Sequence, residues 1–261
     1  MSGKLVPDGE TQATAVPAAA YLLSEEDKAH LQAANAEVRK RMEAPRHSHK
    51  LAPDELIRAK VKQELRGRMR GVRATARGAS SAARCERIVC TLQALPALLN
   101  ARRVGLFWPM LERNEVDLRA LATWLLGRGA EVGLPCVVPA SEPDARAGAP
   151  AAGAPRDMVF RRFVTEADLT LNAMGIAEPL PHCALLEELD VVVTPALLVD
   201  SRGHRIGYGG GYYDKYFSSQ AVRSHNIAVV FDYQLVAEIP NQPWDISVAH
   251  VVTDKREFSA E

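Results

Sequence analysis

The 261-residue chain lacks any apolar run suited to crossing a bilayer: AVPAAAYLL, at residues 15–23, is too short and follows acidic residues and prolines. An export signal and a membrane anchor are therefore not expected. It also lacks a surplus of charge, with 32 Lys+Arg against 32 Asp+Glu, so no global electrostatic argument favours a nucleic-acid or membrane partner. Cysteine is scarce. Cys85, Cys90, Cys136 and Cys183 form neither a CxxC pair nor a dense framework, which argues against a disulfide scaffold and for reduced thiols in a cytoplasmic protein. What the chain does have is 47% hydrophobic and 25% charged residues, the proportions of a soluble globular protein with a sizeable core.

Residues 1–23, rich in Ala, Pro, Thr and Gly without a period, read as a flexible tail. Ser24 then offers an N-cap, and Leu31, Ala34, Val38 and Met42 continue at helical spacing until Pro45. The stretch APRHSHKLAPDE reads as a hinge, its His47 and His49 belonging to a solvated linker rather than a metal site. A second helix is expected from Pro53 or Asp54, with Ile57, Val61, Leu65, Met69 and Val72 as its apolar stripe. Its other faces carry Arg58, Lys60, Lys62, Arg66, Arg68, Arg70, Arg73 and Arg77 against only Glu64. That density invites a nucleic-acid reading, but composition alone favours a solvated amphipathic helix.

Further helical spacing surrounds Ile88, Leu92, Leu95 and Leu99, after which short apolar runs alternate with helical patterns. Strands are expected at residues 103–108, 131–139, 158–163, 190–199, 226–231 and 250–253, with a helix over 116–126 and an Ala/Pro/Gly-rich surface insertion over 140–156. Continuous apolar strands between helices denote a mostly parallel sheet covered on both faces. The expected architecture is α/β, a three-layer sandwich over 59–258 preceded by an N-terminal helical extension over 1–58.

RIGYGGGYYDKYF, at residues 205–217, stands at a strand-to-helix junction, where open parallel sheets bind ligands. Its glycines permit the close backbone approach and positive φ angles of an anion nest, or simply a tight turn. A dinucleotide GxGxxG would need glycine at Tyr212, and Walker A would need GK[ST], so neither common phosphate motif is present. Arg205 before the glycines and Asp214 after them offer a cation for phosphate and a hard carboxylate for Mg²⁺, a combination suited to a nucleoside triphosphate. Lys62 and Arg66, at i and i+4, share a helix face and can meet one anion.

The segment DVVVTPALLVDSRGHRIGYGGGYYDKYF resembles, almost position by position, the signature of the 5-formyltetrahydrofolate cyclo-ligases, also called 5,10-methenyltetrahydrofolate synthetases. KQELRGRMR, LFWPMLERNEVDLRAL and IPNQPWDISVAHVVTD resemble three further family segments in the right order. The resemblance implies a Rossmann-like fold and ATP- and Mg²⁺-dependent conversion of 5-formyltetrahydrofolate to 5,10-methenyltetrahydrofolate, releasing ADP and phosphate. It implies that Lys62 and Arg66 contact ATP together with the loop residues Arg205, Ile206, Gly207, Tyr208, Gly209, Gly210, Gly211, Tyr212 and Tyr213. By the same resemblance Asp214 and Asp245 hold Mg²⁺, and Lys62 and Arg205 act in catalysis. Folate is implied to meet Glu115, Phe107 and Trp108, and also Tyr208, Gly209, Gly210, Gly211 and Tyr212.

The chain departs from the family pattern at Trp244, where many members carry His, at Ala249, where an acid is frequent, and at Ala196, where glycine is common. If the missing acid matters, metal affinity rather than fold is weakened. Two other readings stay open: a non-catalytic protein that sequesters 5-formyltetrahydrofolate, and an RNA-associated protein using the basic helix. A monomer is the default, and His204, His225 and His250 are expected to be structural.

Overall fold

The computed structural model describes residues 52–76, 80–139, 156–220 and 224–260. The expected tail, the helix of Leu31 to Met42, the hinge histidines and all but the last residue of the 140–156 insertion lie outside them.

The first described element is helix α1 (Pro53–Thr75), which starts where the sequence places it. Pro53 occupies the first turn, where its missing N–H costs nothing. The Glu55 carboxylate reaches back to accept the Ala52 N–H at 3.0 Å, capping the positive end of the helix. The expectation of a solvated basic face is met at Arg58, Lys60, Arg68 and Arg70 and corrected at Lys62 and Arg73, where the helix turns charge inward. Lys62 and Arg73 are each 4% exposed, whereas Ile57 is 61% and Val72 45% exposed. Of the expected apolar stripe, Met69 and Leu65 pack against Leu197, Leu198, Ile206 and Ile239. Carboxylates waiting in the interior explain the inversion, as described below.

The sheet strands are β1 (Arg103–Gly105), β2 (Glu131–Pro139), β3 (Arg156–Phe163), β6 (Val191–Pro195), β9 (His225–Val229), β10 (His250–Val252) and β11 (Glu257–Ser259). Two hairpins stand apart, β4 (Leu169–Leu171) with β5 (Ala177–Pro179) and β7 (Leu198–Val199) with β8 (Arg205–Ile206). The seven-stranded sheet has the order β11-β10-β9-β6-β1-β2-β3. The four inner pairings are parallel and the two edge pairings, β10 with β11 and β2 with β3, are antiparallel. The mostly parallel α/β expectation is met.

The alternation of side chains along β6 divides the core. Val191 and Val193 face α2 (Ser80–Ala94), α3 (Pro96–Asn100) and α4 (Arg119–Gly127), packing with Ile88, Leu92, Leu121 and Leu125. Val192 faces the other way, toward Phe160, Leu189 and Phe217 of α5 (Tyr212–Gln220). On that side Gly105 makes room for the Phe160 ring, since a Cβ there would stand 2.8 Å from Phe160 Cε1.

Several elements differ in extent from the expectation, and for three of them the local reason is plain. The run at 103–108 leaves the sheet after Leu106, whose N–H still bonds Gly133 O at 2.9 Å. The run at 190–199 breaks at Pro195, which has no N–H for the ladder; Gln234 Nε2 then donates to the Ala196 and Leu197 carbonyls at 3.1 and 2.9 Å. Helix α4 begins after 116 because the Asp117 carboxylate accepts the Arg119 N–H at 3.0 Å and turns the chain there.

Candidate active site

After β1 the chain runs outward to β2 and β3, then returns to β6 on the other side of β1. This reversal is a topological switch point, where ligands of open α/β sheets bind beyond the strand C-termini. A cleft of about 1620 Å³ opens there. Phe107 and Trp108 enter it from the end of β1, and Pro195 and Leu197 from the end of β6. Pockets for one drug-sized ligand measure ~300–1,000 Å³, so this one has room for two.

One wall carries alternating charge. Lys62 from α1 forms an ion pair with Asp245, whose Oδ2 also accepts the Gln242 N–H at 2.6 Å. Arg205 from β8 donates through Nη2 to Asp214 Oδ1 at 2.7 Å, and the Ile246 N–H donates to the same oxygen at 3.2 Å. The Ile246 bond sets the Asp214 carboxylate beside the backbone of Asp245. The cations are the more deeply buried partners, at 5% side-chain exposure for both Lys62 and Arg205, while Asp214 keeps 21% and Asp245 16%. Burial lowers the Arg66 pKa, and the nearby charge of Asp245 partly restores it.

The glycine loop passes beneath α1. Arg66 Nε donates to Gly207 O at 3.0 Å and Arg70 Nη2 to Tyr208 O at 3.3 Å, so two arginines hold the loop by its carbonyls. Those bonds leave loop N–H groups for an anion. Gly209 has φ +106° and Gly211 φ +69°, conformations that a side chain resists. Asp214 then falls in the first turn of α5, where a carboxylate favours the helix dipole.

A second cluster of the cleft lining centres on Glu115, which is buried rather than an exposed acid at a helix start. Its Oε2 accepts the Met110 N–H at 2.9 Å and its Oε1 accepts the Tyr208 hydroxyl at 2.7 Å. Arg73 donates to the same hydroxyl at 3.0 Å and lies 3.8 Å from Glu115. Burial first, and then the Glu115 charge, push the Tyr208 pKa upward, so the phenol stays protonated and donates. Trp108 leans on Phe163 with ring centroids 5.1 Å apart, which fixes the indole at the rim.

Of the residues singled out in the sequence, Lys62, Arg66, Phe107, Trp108, Glu115, Arg205, Gly207 to Asp214 and Asp245 all line this one cleft. Ile206 does not; its side chain is 1% exposed and packs against Met69. Trp244 lines the cleft, whereas Ala249 is not among its lining residues and sits at the sheet, bonded through its backbone to Asn226 and Ala260. The missing acid at 249 therefore does not touch the two cleft aspartates. Sequence reasoning missed Arg73, although it extends the face of Lys62 and Arg66 by further helical turns. It also missed the wall formed by Met174, Ile176 and Glu178. Arg73 Nε, Arg205 Nε and Tyr213 Oη are buried without a hydrogen-bond partner, an arrangement that favours a polar ligand.

These features define a class: a Rossmann-like α/β protein with a switch-point cleft lined by arginines, a lysine, carboxylates and aromatic rings. The sequence pattern of the 5-formyltetrahydrofolate cyclo-ligase family matches residues 58–254, and the chain belongs to that family. The cyclo-ligase of Escherichia coli K12 is 30% identical over 165 residues, which span 62% of this chain and 82% of that one. The cyclo-ligase of Mycolicibacterium smegmatis is 36% identical over 140 residues, 52% of this chain and 66% of that one. The structure of the Aquifex aeolicus 5,10-methenyltetrahydrofolate synthetase aligns with TM-score 0.61 and 25% identity, covering 76% of this chain and 92% of that one. The chain is accordingly an enzyme of the cyclo-ligase class. No helix among the described residues is long and apolar enough to cross a membrane.

Proposed function

We propose that the cleft binds ATP, Mg²⁺ and 5-formyltetrahydrofolate together and closes the folate to 5,10-methenyltetrahydrofolate with release of ADP and phosphate. The observation that carries this reading is the pairing of two of the expected phosphate-binding cations with the two expected metal carboxylates, Lys62 with Asp245 and Arg205 with Asp214. Without ligands the four charges neutralise one another. On ATP binding, Lys62 and Arg205 turn to the phosphate oxygens while Asp214 and Asp245 turn to Mg²⁺, so no buried charge is left alone at either stage.

Two carboxylates, each already oriented by a backbone N–H, are the hard oxygen donors that suit Mg²⁺, which takes its remaining ligands from phosphate and water. Bound there, the ion would neutralise charge on the β- and γ-phosphates. Arg66 and Arg70 hold the loop carbonyls, so the loop N–H groups face the phosphates. Glu115, fixed by Met110 N–H and Tyr208, accepts hydrogen bonds from the polar edge of the pterin, and Phe107 and Trp108 cover its ring. This positioning brings the formyl oxygen to the γ-phosphorus. That oxygen takes the phosphoryl group and ADP leaves. N10 then attacks the activated carbon, the C–O bond breaks, phosphate departs and the N10 proton is released. The protein supplies alignment and charge rather than a nucleophile.

The test is purified full-length protein with 5-formyltetrahydrofolate, ATP and Mg²⁺, followed by absorbance of the methenyl product. ATP-dependent product formation is the expected result. Tight folate binding without product would instead establish a sequestering protein.

A further inference from the structure

Away from the charged wall, Asp168, His182 and Cys183 offer one oxygen, one nitrogen and one sulfur atom that all lie within 4.8 Å of one another. This mixture of donors is the one zinc takes, and around a tetrahedral Zn²⁺ with bonds of ~2.0–2.3 Å such atoms stand about 3.3–3.8 Å apart. Closing the set therefore asks only for rotamer adjustments. The backbone around it is already fixed. Thr165 N–H donates to Asp168 Oδ2 at 3.0 Å, orienting that carboxylate as outer hydrogen bonds orient metal ligands. Leu180 N–H bonds Asp168 O at 2.8 Å and Cys183 N–H bonds Leu180 O at 2.9 Å, so the turn bearing His182 and Cys183 is stitched onto Asp168. Arg161 of β3 donates to Cys183 O at 2.7 Å and ties the turn to the sheet.

We propose that Asp168, His182 and Cys183 bind one thiophilic divalent cation of the Zn²⁺ type, with water in the fourth position. The ion would clamp the base of the β4–β5 hairpin, whose Met174, Ile176 and Glu178 form a wall of the cleft. Cys183 binds as the thiolate and gives its proton to solvent, so affinity rises with pH. Cys136 stands outside this cluster, its sulfur turned to Pro179 O at 3.7 Å. The soft donor set also separates this site from the two cleft aspartates, which prefer Mg²⁺.

Co²⁺ titration of the full-length protein, under a phosphine reductant and with Mg²⁺ present, tests the site. One equivalent should produce thiolate-to-cobalt charge-transfer absorption and tetrahedral visible bands, both erased by Zn²⁺. Cys183→Ser should abolish the charge-transfer band. His182→Ala, at an exposed position that leaves folding intact, and Asp168→Asn should weaken binding at least about tenfold. Cys90→Ser and a His47→Ala/His49→Ala double variant should titrate like the parent. A parent protein without the thiolate band, a band that survives in Cys183→Ser, or a His182→Ala variant that titrates like the parent would overturn the proposal.

Discussion

Arg205, a lining residue of the cleft, donates from Nη2 to Asp214 while its buried Nε has no partner, so the guanidinium keeps an unused donor. Removal of one preorganised donor from a developing anion costs ~3–4 kcal/mol, so Arg205→Ala should lower kcat by about 10²- to 10³-fold with the fold intact. Arg205→Lys should restore only part of that, because an ammonium lacks the planar fork. Arg73 serves differently. It is the cation beside buried Glu115, and Arg73→Ala strips that carboxylate of its partner, a change of about 3 kcal/mol in stability. Thermal unfolding should show it as a fall in Tm of roughly 6–12 °C, since each kcal/mol shifts a domain of this size by about 2–4 °C. An unchanged Tm would remove Arg73 from this structural role. At this scale the sequence revealed Lys62 and Arg66 through their i, i+4 spacing. It did not reveal Arg73 or the Tyr208–Glu115 bond, because helical spacing says which residues share a face and nothing about which face meets a buried acid.

The loop between β8 and α5 works through its backbone. At Gly209, with φ +106°, a Cβ would stand 3.5 Å from Arg66 Nε, so there is room for a methyl group but not the conformation. Gly209→Ala should therefore act through strain of ~1–2 kcal/mol, raising the KM for ATP more than it lowers stability. Equal KM values for parent and variant would show that the loop does not contact the nucleotide. The parallel pair β9–β10 carries a pH response. Burial, reinforced by His250, lowers the His225 pKa to about 4 from its ordinary 6.5. Between these values the unfolded chain binds the extra proton, so stability should fall as pH drops from 6.5 toward 4 and level off below. His225→Gln should flatten that limb in denaturant titrations, and an unaltered pH profile would assign the response elsewhere. Elements were legible where apolar runs were long, as with β2, read correctly from end to end. They were less legible where one residue ends a strand, as Pro195 does, because the run stays apolar after it leaves the sheet.

For the molecule as a whole, the reversal of strand order at β1 and β6 puts three distant segments around one cleft: α1, the glycine loop and the turn at Asp245. The α/β architecture was readable from the alternation of elements. That α1 joins the site was implied by the resemblance through Lys62 and Arg66, but that Lys62 would meet an aspartate 183 positions away was not readable. Asp214→Asn should raise the Mg²⁺ concentration needed for half-maximal rate, and an unchanged requirement would remove Asp214 from the metal site. The central claim, that one cleft couples phosphoryl transfer to ring closure, is tested most directly by counting ADP and methenyl product in the same reaction, for the parent and for Arg205→Ala. The account predicts one ADP per methenyl group in the parent, and a parallel loss of both in the variant while folate still binds. Methenyl formation without ATP consumption, or a variant that turns over at the parent's rate, would contradict it.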